Sequence, residues 1–145
     1  MDFSGFDLSR ASFTGILLDN SDFTDAQIKC VEFRDCGGLI IEQLLATRDF
    51  KEGFVEGVEA ILLIFPKDRV VNLSRVVFVN CTLGSVSQAR IDMIDSVISS
   101  CDFRLFNGLT LENIKSTWNY KHNRMEGIKL PPDIQATLDA EKAER

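Results

Sequence analysis

Histidine is nearly absent from this 145-residue chain, with His122 the only one. That scarcity leaves Ser-His-Asp, Cys-His and His-based metal chemistry without their usual base or ligand. Positive charge is also short: 16 Lys and Arg stand against 22 Asp and Glu, for a net charge of -6. Nonspecific binding to nucleic acid needs clustered Lys and Arg, so direct nucleic-acid binding is not expected. An acidic surface favours solubility or a basic partner. The longest apolar run, Ala60 to Phe65, is far too short to cross a bilayer. The opening residues Met1 to Asp7 lack a positive segment followed by an apolar one, so no signal peptide is expected. A cytoplasmic location with no membrane contact follows as the default expectation. Cys30 and Cys36 are six apart and Cys81 and Cys101 twenty apart, which is not metal-ligand spacing. No cofactor or metal is expected.

What the chain does have is a period of five. Every fifth residue from position 3 reads Phe3, Leu8, Phe13, Leu18, Phe23, Ile28, Phe33, and later Leu73, Phe78, Leu83, Gln88, Met93, Ile98, Phe103. Only Gln88 among these is polar, and neither a helix nor an alternating strand makes this pattern. Two residues before each stand mostly small or β-branched side chains, such as Ala11, Ser21, Ala26, Val31, Cys81, Ser96 and Cys101. The residue just before the central one is often Asp or Asn, as at Asp2, Asp7, Asp22, Asn72, Asp92 and Asp102.

Segments such as Ser21-Asp22-Phe23-Thr24-Asp25 and Cys101-Asp102-Phe103-Arg104 carry the pattern most clearly. The chain resembles the pentapeptide-repeat family. The resemblance implies an all-β dominated fold, a right-handed quadrilateral parallel β-helix with four pentads per coil and helical excursions or caps. Central residues would then stack twenty apart: Phe3 on Phe23, Leu8 on Ile28, Phe13 on Phe33, Phe78 on Ile98 and Leu83 on Phe103. No coil buries its apolar face alone, so neighbours must stabilise each other. Phe6 and Ile16 are large for their phase but sit in the first coil, where no earlier coil crowds them. Gln88 marks an expected distortion near Val86 to Ala89.

A second period of 70 encloses the first. Residues 38–58 align with 108–128 without a gap, with seven identities in 21 positions. One domain, 1–145, is therefore expected as two tandem units. Unit 1–70 holds pentads 1–35 and a helical segment 38–58. Unit 71–145 holds pentads 71–105, a helical segment 108–128 and a C-terminal helix 132–145. Helices are expected near 39–50, with Ile41, Leu44, Leu45 and Arg48 on one face, and near 109–118, with Leu111, Ile114 and Trp118 on one face. Thr110 is the expected N-cap, and Glu42 and Glu112 fall in first turns, where the dipole favours them. The stretch 109–131 resembles the helix-plus-strand tail that follows the repeats in bacterial members of the family. The 39–50 helix either leaves a continuous β-helix or separates two short stacks; the first is favoured, since seven pentads make less than two coils. Ala60 to Phe65 reads equally as a buried strand or a helical turn. The Pro131-Pro132-Asp133 run opens the last helix, with Ile134 and Leu138 on one face and a polar, fraying end at Glu141 to Arg145.

No residue set reads as catalytic, so the chain is not expected to be an enzyme. Carboxylates alone, such as Glu56 with Glu126, would have to carry any chemistry. Cys81 and Cys101 should stack as buried reduced thiols. The Asp array reads as corner chemistry, with side chains satisfying local backbone donors. The candidate interaction surface is Trp118, Tyr120, Lys121, His122 and Arg124, although packing of Trp118, Tyr120 and Met125 onto the end of the β-helix competes with it. The leading function is a non-catalytic protein-interaction or structural module whose partner is another protein, with a homodimer through the C-terminal helix or helical cap also open. The alternative is an acidic DNA mimic acting on a topoisomerase such as DNA gyrase, as quinolone-resistance members of the family do.

Overall fold

The five-residue period has a local cause. In five of the seven early pentads the carbonyl of the central residue accepts a hydrogen bond from the amide three residues on, as in Phe3 from Phe6 at 3.1 Å, Leu8 from Ala11 at 2.8 Å and Leu18 from Ser21 at 3.0 Å. The third residue of each such turn is left-handed, as at Gly5, Arg10, Asn20, Asp25 and Cys30. A turn with positive φ at that place favours Gly, Asn or Asp. One extended residue triplet plus one such turn makes five residues and one change of direction.

The computed structural model describes residues 1–144; Arg145, the last residue of the expected 132–145 helix, lies outside the described residues. The elements run β1 (Ser12–Thr14), β2 (Glu32–Arg34), α1 (Ile41–Leu45), α2 (Arg48–Glu52), β3 (Phe54–Glu56), β4 (Glu59–Leu63) and β5 (Val71–Asn72). They continue with β6 (Val77–Val79), β7 (Thr82–Ser85), β8 (Ile91–Asp92), β9 (Val97–Ser99), α3 (Leu111–Lys115), α4 (Trp118–Lys121) and α5 (Pro132–Ala143).

All named strand pairs are parallel, in the orders β1-β2-β4-β7, β3-β6-β9 and β5-β8. Phe13 pairs with Phe33 and Phe78 with Ile98, each twenty residues apart. Isolated bridges extend the same scheme: Asp2 with Asp22, Asp7 with Gln27, Leu17 with Gly37, and Ile40 with Ile64. The pairings fall into four ladders, met in turn along the chain: the first through Asp2–Asp22 and β5-β8, the second through Asp7–Gln27 and β3-β6-β9, the third through β1-β2-β4-β7, and the fourth through Leu17–Gly37, Ile40–Ile64 and Ser85–Phe106. Between Phe33 and Ala60 the offset grows to 27 residues, because α1, α2 and β3 lie in the intervening chain. The ladder nonetheless continues from β2 through β4 to β7, so the helical segment is an excursion within one stack. Ala60 to Phe65 includes the strand β4, with Ala60, Leu63 and Phe65 buried.

Inward columns form the core. Phe3 stacks on Phe23 at 5.1 Å and Phe13 on Phe33 at 5.3 Å, with edge-on contacts between the two columns. Leu18, Ile28, Phe78, Ile98, Cys101 and Phe103 are buried. The small-residue phase is buried too, as at Ala26, Val31, Cys36, Cys81 and Ser96.

The two helical segments repeat each other atom by atom. Asp25 N donates to Ala46 O at 2.9 Å and Asp95 N to Ser116 O at 2.8 Å. Arg48 N donates to Ala26 O and Trp118 N to Ser96 O. Thr47 and Thr117 cap α2 and α4 through Phe50 N and Tyr120 N. Asp49 Oδ1 accepts from Ile28 N at 2.8 Å, and Asn119 Oδ1 from Ile98 N at 2.7 Å. Gln43 and Asn113 accept from the amides of Ile40 and Thr110 at the starts of α1 and α3, and their side-chain amides also donate to the coil below, at Ser21 O and Ile91 O. Gly108 is held at φ +93, where a Cβ would collide with the backbone of Ala89. The expected N-cap Thr110 accepts from Asn113 N.

Several expectations need correction. The 39–50 helix is two short helices broken at Ala46 and Thr47, because Thr47 caps a new one. Arg48 therefore opens α2 and is exposed instead of sharing a face with Ile41 and Leu44. The same break at Thr117 turns Trp118 outward, away from Leu111 and Ile114. The 38–58 segment is also not helical throughout, since it contains β3. Phe6 is exposed, edge-on to Phe3, and does not point inward. After Leu83 the pentad register lapses: Val86 and Gln88 face solvent and Ala89 is buried. A register shift between β4 and β7 accompanies this, and Phe65 and Phe106 fill the fourth side with rings 5.3 Å apart.

Asn119→Leu leaves the buried Ile98 amide without an acceptor. It should cost about 1–3 kcal/mol in urea-unfolding free energy. Ser96 carries a buried hydroxyl with no hydrogen-bond partner, where the first unit has Ala26. Ser96→Ala should therefore be neutral or stabilising in the same assay.

Candidate functional site

Most outward positions on the third ladder are polar: Ser12, Thr14, Glu32, Arg34, Glu59, Thr82, Asp102 and Arg104. They pair among themselves, Arg34 with Glu32 and Glu59 and Arg104 with Asp102. The fourth ladder differs. Leu17 is 75% exposed, Ile40 38%, Ile64 36%, Val86 54% and Leu105 60%. Leu17 lies over Gly37, Ile40 bridges to Ile64, Val86 N donates to Leu63 O, and Leu105 O accepts from Ser85 N. Ile40, Ile64 and Val86 thus follow one ladder, while Leu17, over Gly37, and Leu105, opposite Gly84, flank it on the same side. An apolar depression of about 280 Å³ adjoins it, bounded by Ile61, Leu83 and Leu105. Aligned apolar exposure of this kind marks interaction surfaces. The sequence reading missed it, because the residues are 23, 24, 22 and 19 apart and obey neither period.

The residues chosen from sequence lie along α4 and the turn after it, and the structure divides them. Trp118 stacks on His122 at 4.6 Å, and His122 Nδ1 is 2.9 Å from Trp118 O. Lys121 reaches Asp95 at 2.7 Å, as Lys51 reaches Asp25 at 2.8 Å in the first unit. Lys121 also holds the Asp95 carboxyl below its usual range, by its hydrogen bond and its charge. Arg124 folds onto the carbonyls of His122 and Asn123. Tyr120 faces the other way, with Lys115 over its ring at 5.9 Å, toward a groove of about 590 Å³ beneath α5. Met125 lines the same groove.

The corner carboxylates are engaged by the backbone. Asp2 Oδ1 accepts from Ser4 N at 2.9 Å and Ser4 Oγ at 2.6 Å, and Asp7 treats Ser9 the same way. Asp22 is met by the Thr24 side chain and accepts from Thr24 N, and Asp102 accepts from the Arg104 guanidinium, at 2.7 Å to Oδ2, as well as from Arg104 N. These hydrogen bonds hold Asp2, Asp7, Asp22 and Asp102 below the ordinary carboxyl value. Asn72 makes the same bonds to Ser74 without a charge. Glu56, once weighed for chemistry with Glu126, faces Lys29 at 3.9 Å. Among the described residues no three His, Cys, Asp or Glu side chains cluster as a metal site. All four cysteines are unbridged. The Cys101 thiol is pushed up by its hydrogen bond with Cys81 and by burial.

The family model for pentapeptide repeats matches residues 2–36, in eight copies. That segment therefore carries pentapeptide repeats. Repeats of this kind imply a β-helix-like solenoid, and the parallel ladders agree with one. The second block, 71–105, lies outside the match yet continues the same ladders. Proteins with these repeats are generally structural or interaction modules and not enzymes. No curated protein and no solved structure matches the chain. Among the described residues, no helix is long and apolar enough to cross a membrane.

Two outcomes are expected. A depressed carboxyl pKa contributes stability above the unfolded value, and that contribution disappears as pH falls through the folded value. Asp22→Asn keeps the acceptor and loses the titration, so its urea midpoint should fall less than the wild type's between pH 7 and pH 3. Thiol titration of the native protein should label the half-exposed Cys30 first, with Cys36, Cys81 and Cys101 reacting only on unfolding.

Proposed function

We propose that the chain is a right-handed quadrilateral β-helix of about four pentads per coil, with one helical excursion, that serves as a non-catalytic protein-interaction module in the cytoplasm. The observation that carries the reading is the apolar file of Leu17, Ile40, Ile64, Val86 and Leu105 beside a polar neighbouring face. A coil face needs no apolar side chains outward for its own stability, because the inward columns supply the core. Five exposed apolar side chains on one side of the stack fit a protein partner that covers them. The four unbridged cysteines fit a reducing compartment.

The acidic DNA-mimic reading, directed at a topoisomerase such as DNA gyrase, has less support. Asp25, Glu42, Glu59, Asp95, Asp102 and Glu141 face Lys or Arg partners, which leaves a mixed surface in place of a continuous negative one.

Val86→Glu places a charge in the middle of the file without touching an inward column. It should abolish retention of a specific protein partner on the immobilised chain while leaving the circular dichroism spectrum and urea midpoint unchanged. Trp118→Ala should leave retention intact. The reverse pattern, with Trp118→Ala losing the partner and Val86→Glu keeping it, would move the surface to α4.

A further inference from the structure

The internal duplication places two units end to end within one chain, and their junction is a visible coil-on-coil interface. There β6 lies on β3, with Phe54 against Val77, Val55 against Phe78 and Glu56 against Val79. Val77 N donates to Gly53 O at 2.8 Å and Gly57 N to Val79 O at 2.9 Å. Phe50 packs edge-on against Phe78 at 5.9 Å. Each of these groups has a counterpart 70 residues away at an end of the molecule. Subtracting 70 from the upper partner and adding 70 to the lower gives Asp7 N with Asn123 O, and Gly127 N with Ser9 O.

These counterparts are unspent. Asp7 N, Ser9 O and Gly127 N have no hydrogen-bond partner among the described residues, and Asn123 O is met only by the Arg124 side chain at 3.3 Å. Backbone geometry at the last coil matches the junction: Gly53 and Asn123 are both left-handed, as are Gly57 and Gly127. The side chains correspond as well. Val55 against Phe78 becomes Met125 against Leu8, and both are only partly buried where they stand. Phe54 against Val77 becomes Arg124 against Asp7, a pair of opposite charges.

What intervenes is α5. It crosses the last coil held by the buried Ile134, the partly buried Leu138 and one ion pair, Lys115 with Glu141 at 3.0 Å. Beneath it lies the groove lined by Tyr120, Asn123, Met125 and Ile128. We propose that the end of the last coil is a docking edge for the first coil of a second copy of this chain, stacked in the register of the internal junction, and that α5, which stands beside this edge and leaves Asn123, Glu126 and Gly127 exposed, is the stop that obstructs the stacking. A head-to-tail contact of this kind does not close on itself, so its release gives open chains of molecules.

The test is a register-specific crosslink in the full-length protein. Ser9→Cys and Glu126→Cys occupy the positions equivalent to the adjacent pair Val79 and Glu56. The pair is introduced with α5 intact, with Ile134→Asp and Leu138→Asp to free α5, and with Glu141→Gln, which removes the charge of the ion pair and leaves Lys115 over Tyr120; Lys115→Ala removes both contacts. Intermolecular disulfides are mapped by mass spectrometry and assembly is followed by sedimentation velocity. The expected result is about a tenfold rise in the 9–126 disulfide when α5 is freed, with a ladder of oligomers. A smaller rise of the same bond is expected with Glu141→Gln. Dominance of 9–9 or 126–126 bonds overturns the head-to-tail register. Absence of the 9–126 rise in the Glu141→Gln protein overturns the proposal even where the double Asp variant fails to fold.

Discussion

Everything in this molecule rests on the stacking of one coil's inward side chains on the next. A single pentad buries nothing; its Phe or Leu points at an axis that would be open on both sides. The contact of Phe3 with Phe23, and of Phe13 with Phe33, turns a row of exposed rings into a continuous core. The backbone then follows, since residues held one above the other can share parallel hydrogen bonds at strand spacing. The small phase is the complement of this arrangement: Ala26, Val31, Cys81 and Cys101 leave room for the larger columns. Corners have their own requirement, a left-handed residue, met at most of them by Gly, Asn or Asp and at Arg10, Cys30, Arg75 and Ser100 by other residues held there.

The excursion shows what happens when that scheme is interrupted. Residues 41–57 keep the coil below satisfied by other means. The Gln43 and Asp49 side chains, with the backbone of Ala46 and Arg48, supply the acceptors and donors that a pentad backbone would have offered. The chain then returns to the ladder at β4 and stacking resumes. The second unit performs the same manoeuvre with Asn113 and Asn119, and Lys129 rejoins the ladder on Asp102 before α5 begins. The same local structure is thus an internal joint in one unit and a terminus in the other. Phe50 meets a ring above it in the first, whereas Tyr120 meets a groove and a helix.

Function follows from what the stack leaves outside. The ladders use polar residues outward wherever water is to be met, and paired charges keep that surface mixed. The fourth side departs from this, and the α4 turn chosen from sequence is largely committed to its own contacts: Lys121 to Asp95, Arg124 to nearby carbonyls, His122 to Trp118. Those commitments weaken the case for α4 as a free surface and strengthen the case for the apolar file.

The sequence by itself determined the inward columns, the small phase, the corner chemistry and the 70-residue correspondence. Each of these is local or strictly periodic: the turn sets five residues per side, and every pentad repeats the requirement. It also located the caps at Thr110 and the opening of α5 at Pro132. Tertiary structure alone decided the breaks at Thr47 and Thr117, because one hydroxyl capping the next turn outweighs a continuous apolar face over so short a run. It alone decided that Val86 faces water, since the register shift beside β4 cancels the period there. And it alone brought Leu17, Ile40, Ile64, Val86 and Leu105 to one side of the stack, for their spacing along the chain is irregular and only the stack sets them beside one another.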